Sequence, residues 1–283
     1  ALEKLNKNDE TLALRVHMTA MGAAESVSTL ETAGFLAAAG DSWFDYPFHD
    51  VLKMLDDDFG YNVESSAHKG DPIERMAYQG GQLEDFARKL EKIQAQGATP
   101  KAVLLSGGGD DMAGDEFGML LNNFYSPVSG WDKKMLSGLL EDRISTAYTQ
   151  MLGSITKLCQ GMFQKTVPIL VHGYDYPVPD GRGFLGGWPF PGPWLEPGFR
   201  QKNFEDLGQR ISMMMDVMDR FNKLVSGLSK CPGLEHVCYI DLRGTLSNKP
   251  ANYKLWWANE LHPTEDGFRA VTRKFVAVLQ TLP

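Results

Sequence analysis

Cysteine is scarce in this chain. Its 283 residues include only Cys159, Cys231 and Cys238, with neither a CxxC pair nor metal-ligand spacing. A chain of this length builds its core without staples. Cys231 and Cys238 flank a Pro-Gly turn, where a bridge and two free thiols are both open readings. No apolar run approaches the roughly 18 residues that a membrane span needs. Basic charge is short too: 28 Lys and Arg against 36 Asp and Glu leave a net charge of -8. With no basic stripe to track a phosphate backbone, nucleic acid is not an expected partner. His49, His68, His172 and His236 are scattered without the short paired spacing of a zinc site, so no metal is expected. Residues 1 to 30 lack the charged start and apolar stretch of a signal peptide, so a removed peptide and none at all are both compatible. Location, cytoplasmic or secreted, and oligomeric state stay open. Arg15-Val16-His17-Met18 could mark a junction, and residues 1 to 33 are read as an N-terminal extension to a single domain over 34 to 283.

What is present is the composition of a folded, soluble protein, 43% hydrophobic and 23% charged. Gly34 to Gly40 reads as a buried strand ending at the Gly40-Asp41-Ser42 turn, and Phe48 to Leu55 follows with helical spacing. Tyr61 to Val63 is a short β-prone piece before the Ser65 to Gly70 loop, and Met76 to Gln94 carries one amphipathic pattern. Lys101 to Leu105 is another buried strand, running into the glycine-rich turn from Ser106 to Asp111. Residues 140 to 164 look helical, and Thr166 to Val171 is a strand ending at His172-Gly173-Tyr174. A long helix over Phe204 to Leu228, a strand over Val237 to Asp241 and a helix over Gly267 to Leu282 complete the order. Five strands separated by helices predict a parallel sheet covered on both faces, with the site gathered at the strands' carboxyl ends. Pro177 to Gly198, rich in Pro, Gly and aromatics, reads as a long surface loop.

A serine hydroxyl becomes a nucleophile only beside a base, and needs donors to hold the oxyanion it creates. Ser42, behind a glycine at a strand end, is the candidate, but a Gly-Asp-Ser triplet alone fits a helix-capping serine better. Three further blocks change the weight: Gly70, then Gly108-Gly109-Asp110-Asp111, then Asn259-Glu260-Leu261-His262-Pro263. In order, the four resemble the sequence blocks of the SGNH (GDSL-type) hydrolase family, over about Gly34 to Pro283. The resemblance implies a flavodoxin-like three-layer α/β/α sandwich and a serine esterase that needs no cofactor. It implies Ser42 as nucleophile, His262 as general base, and an oxyanion hole from the amides of Ser42 and Gly70 and the side chain at 110.

Two positions depart from the family pattern. Asp110 stands where the family has asparagine, and an ionised carboxylate would repel an oxyanion, so the expectation is a neutral Asp110 acting as donor. Asn259 stands at the triad aspartate; it can orient His262 but cannot stabilise imidazolium, and could select the wrong tautomer. Glu260, Asp175 and Asp241 are substitute carboxylates, each better read as a capping or solvated group. Asp41 and Asp45 are read as hydrogen bonding to local backbone. For substrate, Trp43, Gly109, Tyr174 and Trp188 are candidate contacts, with Phe190, Trp194, Trp256 and Trp257 as further aromatics and His68 and His172 as strand-end histidines. The partner expected is a small-molecule ester: short-chain, aryl or acetylated sugar. The alternatives are a flavodoxin-like carbohydrate-binding or flavin-binding module that has lost its chemistry, and an acyltransferase on the same fold.

Overall fold

In a computed structural model, residues 32–78 and 81–283 are described. The extension expected over 1 to 33, with its Arg15-Val16-His17-Met18 stretch, lies almost wholly outside them. The first strand, β1 (Phe35–Ala39), has Leu36, Ala37, Ala38 and Ala39 fully buried. Its three alanines let neighbouring layers close on a central strand. Helix α1 (Val51–Asp57), capped by the Asp50 carboxylate on the Lys53 N–H, leads to β2 (Asn62–Ser65). Where one helix is expected over Met76 to Gln94, there are two, α2 (Ile73–Tyr78) and α3 (Gly81–Ala95). Gly81 opens the second of them, and glycine is a poor helix-interior residue.

β3 (Ala102–Leu105) is buried throughout. Beyond it comes a segment with no pattern in the sequence: a hairpin of β4 (Leu121–Asn122) and β5 (Gly130–Trp131), then α4 (Lys133–Ser137). A π-helical turn, Gly138–Ile144, runs on into α5 (Ser145–Phe163). Strands of two residues carry too little periodicity to be read. The order closes with β6 (Ile169–His172), α6 (Glu196–Gln201), α7 (Leu207–Leu228), β7 (Val237–Ile240) and α8 (Glu265–Leu279).

The main sheet has the order β2-β1-β3-β6-β7, every neighbouring pair parallel. α1 packs on α8, while α3 and α7 each pack on α5. Helices thus flank the sheet as the three-layer reading requires. The strand order reverses between β1 and β3, which is where a crevice opens at the carboxyl ends of an open α/β sheet. Register sets Ala39 against Leu105, so the segments beginning at Gly40 and Ser106 leave the sheet side by side. Gly34–Pro283 is one compact unit. Among the described residues no helix is long and apolar enough to cross a membrane. All three cysteines are free, so the Cys231 to Cys238 bridge is not made.

Candidate active site

Ser42 is held between two clamps. On one side, a Cβ at Gly40 would stand 2.9 Å from both Ser106 Cβ and the Phe44 ring, so only glycine lets the chain leave β1 beside the β3 loop. The Gly40 N–H donates to Gln82 Oε1 at 2.9 Å, and its carbonyl accepts from Gln82 Nε2 at 3.1 Å. On the other side, the buried Asp41 carboxylate accepts from the Trp43 N–H at 3.0 Å, the Ser106 hydroxyl at 2.7 Å and the Tyr174 hydroxyl. Local backbone bonding was expected of Asp41; its ties to Ser106 and Tyr174 cross the sheet as well.

The imidazole arrives from the other end of the chain. Thr264 caps α8 through the Gly267 N–H, and the Ala258 N–H donates to the His262 carbonyl at 2.9 Å, which closes a tight loop before that helix. His262 Nε2 lies 2.8 Å from Ser42 Oγ, and Nδ1 lies 3.0 Å from Asn259 Oδ1. The same Oδ1 accepts the N–H groups of Leu261 at 3.0 Å and His262 at 2.9 Å, while Nδ2 donates to the Tyr46 hydroxyl at 3.0 Å. Backbone N–H groups can only be accepted by oxygen, so the amide orientation follows from its partners. Nδ1 then carries the proton and Nε2 presents its lone pair to Ser42. The wrong-tautomer expectation for Asn259 is therefore corrected. Burial pushes the His262 pKa down to about 3, because the amide beside it supplies no charge to offset desolvation. Tyr46 stacks on the imidazole with ring centroids 4.2 Å apart, and Trp194 meets it edge-on at 5.6 Å.

None of the substitute carboxylates turns to His262. Glu260 is fully buried and accepts four loop N–H groups: Trp194 at 2.6 Å, Leu195 at 2.8 Å, and Gly181 and Glu196 at 2.9 Å. Asp175 accepts from the N–H groups of Tyr176, Gly244 and Leu246, and Asp241 pairs with Arg243. Asp45 accepts from the Lys69 N–H at 3.1 Å.

Asp110 shares the lining of a small cavity with Ser42, Trp43, Gly109 and Tyr174. Its Oδ2 is buried without a partner, and the Gly70 N–H points at its carboxyl group. Gly70 adopts φ +82°, a left-handed conformation that favours glycine. Desolvation first, then the charges of Asp41, Asp111 and Asp71, raise the Asp110 pKa to about 8. Asp111 is raised to about 6, again chiefly by burial, and its carboxylate accepts the Ile73 N–H at 2.8 Å.

The remaining candidates divide. Trp43 lies on the cavity wall and donates its Nε1 hydrogen to the Leu261 carbonyl at 3.1 Å. Tyr174 lines the cavity with its hydroxyl turned to Asp41. Trp188 is 94% exposed and outside the cavity lining, while Trp257 lies in it. His172 is wholly buried against Ser106 Oγ at 2.9 Å, with burial lowering its pKa to about 4, so it has no access to a substrate. His68 is exposed, 3.6 Å from Asp71. Among the described residues no group of three His, Cys, Asp or Glu could hold a metal ion. Tyr46 and Gln82 have no motif of their own, and Ser106, which opens the glycine-rich turn, had no role there. Their partners are distant in sequence, and only the proximity of Tyr46 to Ser42 hinted at a role.

No family model and no curated protein matches the chain. Solved structures do. A member of the lipolytic G-D-S-L family from Veillonella parvula is 13% identical over 88% of this chain and 99% of its own, with a TM-score of 0.44. A catalytic mutant of an acetylxylan esterase from Geobacillus stearothermophilus is 15% identical over 88% and 94%, also with a TM-score of 0.44. A GDSL-like lipase from Bacteroides thetaiotaomicron is 10% identical over 94% and 96%, with a TM-score of 0.41.

Proposed function

We propose that the chain is a carboxylic ester hydrolase working through an acyl-enzyme on Ser42. The observation that carries this is the line Ser42 Oγ, His262 Nε2, His262 Nδ1, Asn259 Oδ1, with contacts of 2.8 Å and 3.0 Å and the proton on Nδ1. Nε2 takes the hydroxyl proton as Oγ attacks the ester carbonyl carbon. The carbonyl oxygen becomes an oxyanion met by the Ser42 amide and by the hydroxyl of a neutral Asp110, whose carboxyl group the Gly70 N–H holds. Collapse expels the alcohol, which takes the proton from His262. Water, deprotonated by the same nitrogen, then releases the acid and restores Ser42.

A module that only binds sugar or flavin has no need of an imidazole lone pair aimed at a serine, so the geometry favours an acyl-enzyme over such a module. The test is labelling by a serine-directed phosphonate with peptide mapping, beside ester turnover by Ser42→Ala. Labelling at Ser42 and loss of turnover by about a thousandfold or more are expected. Full activity in Ser42→Ala would sink the proposal.

A further inference from the structure

Asp41, the residue before Ser42, belongs to a second cluster of serine, histidine and aspartate that the proposed mechanism does not use. Ser106 Oγ stands 2.7 Å from Asp41 Oδ1 and 2.9 Å from His172 Nε2, and all three residues are buried. It is not a second active site. Ser106 and His172 are fully enclosed, and the carboxylate meets the serine rather than the imidazole, the reverse of what a general base needs. The imidazole sits in a box of rings instead: Trp43 stacks on it with centroids 5.7 Å apart, and Phe44, Tyr174 and Phe275 lie at 5.7, 5.1 and 5.4 Å. Its polar contacts are Ser106 and, through Nδ1 at 3.2 Å, the Gly173 carbonyl.

The hydrogens in this cluster can be counted. The Ser106 hydroxyl has one hydrogen and faces two groups. A carboxylate only accepts, and Asp41, a charged acceptor at the shorter distance, takes that hydrogen. His172 Nε2 must then bring its own, because otherwise two lone pairs would face each other at 2.9 Å. Burial, which lowers the His172 pKa to about 4, keeps the ring neutral, so Nδ1 is bare and meets the Gly173 carbonyl at the longer distance of 3.2 Å. The opposite tautomer would gain the longer contact and lose the shorter. With the Ser106 hydrogen fixed, the Asp41 side chain holds three donors: Ser106, the Tyr174 hydroxyl and the Trp43 N–H at 3.0 Å. Its backbone carbonyl accepts the Phe44 N–H at 3.1 Å. The bonds to Trp43 and Phe44 close the turn that carries Ser42.

Resting on the reading of Ser42 as nucleophile, we infer that His172 is a positioning residue for it. Donating from Nε2 to Ser106, His172 turns the Ser106 hydrogen to Asp41 and so fixes the carboxylate that shapes the Ser42 turn. His172 and His262 thus carry their protons on opposite nitrogens, Nε2 in the first and Nδ1 in the second. A nucleophile displaced by about 1 Å can lose on the order of a hundredfold in rate, so the relay acts on kcat without touching substrate.

The experiment joins ¹⁵N NMR of the histidine rings in the full chain to ester turnover and phosphonate labelling of Ser42. His172→Gln identifies the His172 signals, which are expected to show a protonated Nε2 and a bare Nδ1 at neutral pH. His172→Leu removes the donor without adding charge and should lower kcat about tenfold or more with KM nearly unchanged. His172→Gln, whose amide can donate in place of Nε2, should recover most of that loss. Ser106→Ala alone and combined with His172→Leu should lose kcat by factors equal within about twofold, since both act through one chain of bonds. A proton on Nδ1 of His172 overturns the relay whether or not the variants fold. Equal losses in His172→Leu and His172→Gln would mean that the ring only fills space, which also overturns it. Labelling and turnover undiminished in His172→Leu overturn the positioning role alone. An unlabelled Ser42 in the unaltered chain overturns the nucleophile and takes this inference with it.

Discussion

At the scale of single residues, the site is a set of side chains whose protons are placed by burial. His262 is in its base form above about 3, and Asp110 keeps its proton below about 8. If both forms are needed, kcat/KM rises through the first value and falls through the second as pH increases. Asp110→Asn removes the alkaline fall, since an amide donates at any pH. Asn259→Asp moves the acid limb upward, because a carboxylate favours imidazolium, and raises the plateau by about tenfold or more. Steady-state profiles of the three proteins check this; an alkaline limb unchanged in Asp110→Asn would rule out Asp110 as the donor. Ser42, His262 and Asn259 could be picked out of the sequence as candidates because each stands in a block of local residues. The direction of the Asn259 amide was not, because Tyr46, more than two hundred residues away in the chain, takes its nitrogen end.

At the scale of elements, hydrophobic periodicity served where elements are long and failed where they are short. Helices α5, α7 and α8 repeat an apolar face over several turns, so their existence is readable. The β4–β5 hairpin and the π-helical turn repeat nothing, so neither is readable. The loop from Pro177 to Gly198 is readable as irregular, but its anchor is not. Glu260 stands one residue from Asn259 and satisfies four N–H groups of that loop. Glu260→Ala leaves them without their acceptor and is expected to cost on the order of 3 kcal/mol in urea unfolding. Limited proteolysis should then cut first within the loop, whereas Glu260→Gln, which keeps an acceptor, should lose less. Equal loss in both variants would mean that charge, not acceptor geometry, holds the loop.

At the scale of the whole molecule, the sheet is the frame on which distant blocks converge. Ala38 is fully buried in β1, paired in register with Ser65 of β2 and Leu104 of β3. Ala38→Leu overpacks this layer and is expected to cost about 1–3 kcal/mol, seen as a lower Tm in one cooperative transition. Because Ser42 follows β1 directly, esterase turnover should fall in the same variant at temperatures where it remains folded. An unchanged Tm would show that the layers are looser than their burial indicates. The order of strands and helices, the buried character of β1 and β3, and the four glycine- or histidine-bearing blocks were determined by the sequence itself, since each depends on neighbours along the chain. The tertiary structure decided which carboxylates serve as anchors, which end of the Asn259 amide faces His262 and how deeply Asp110 and His262 are buried. Those properties arise from desolvation and from contacts across the fold, such as the one that joins residue 42 to residue 262.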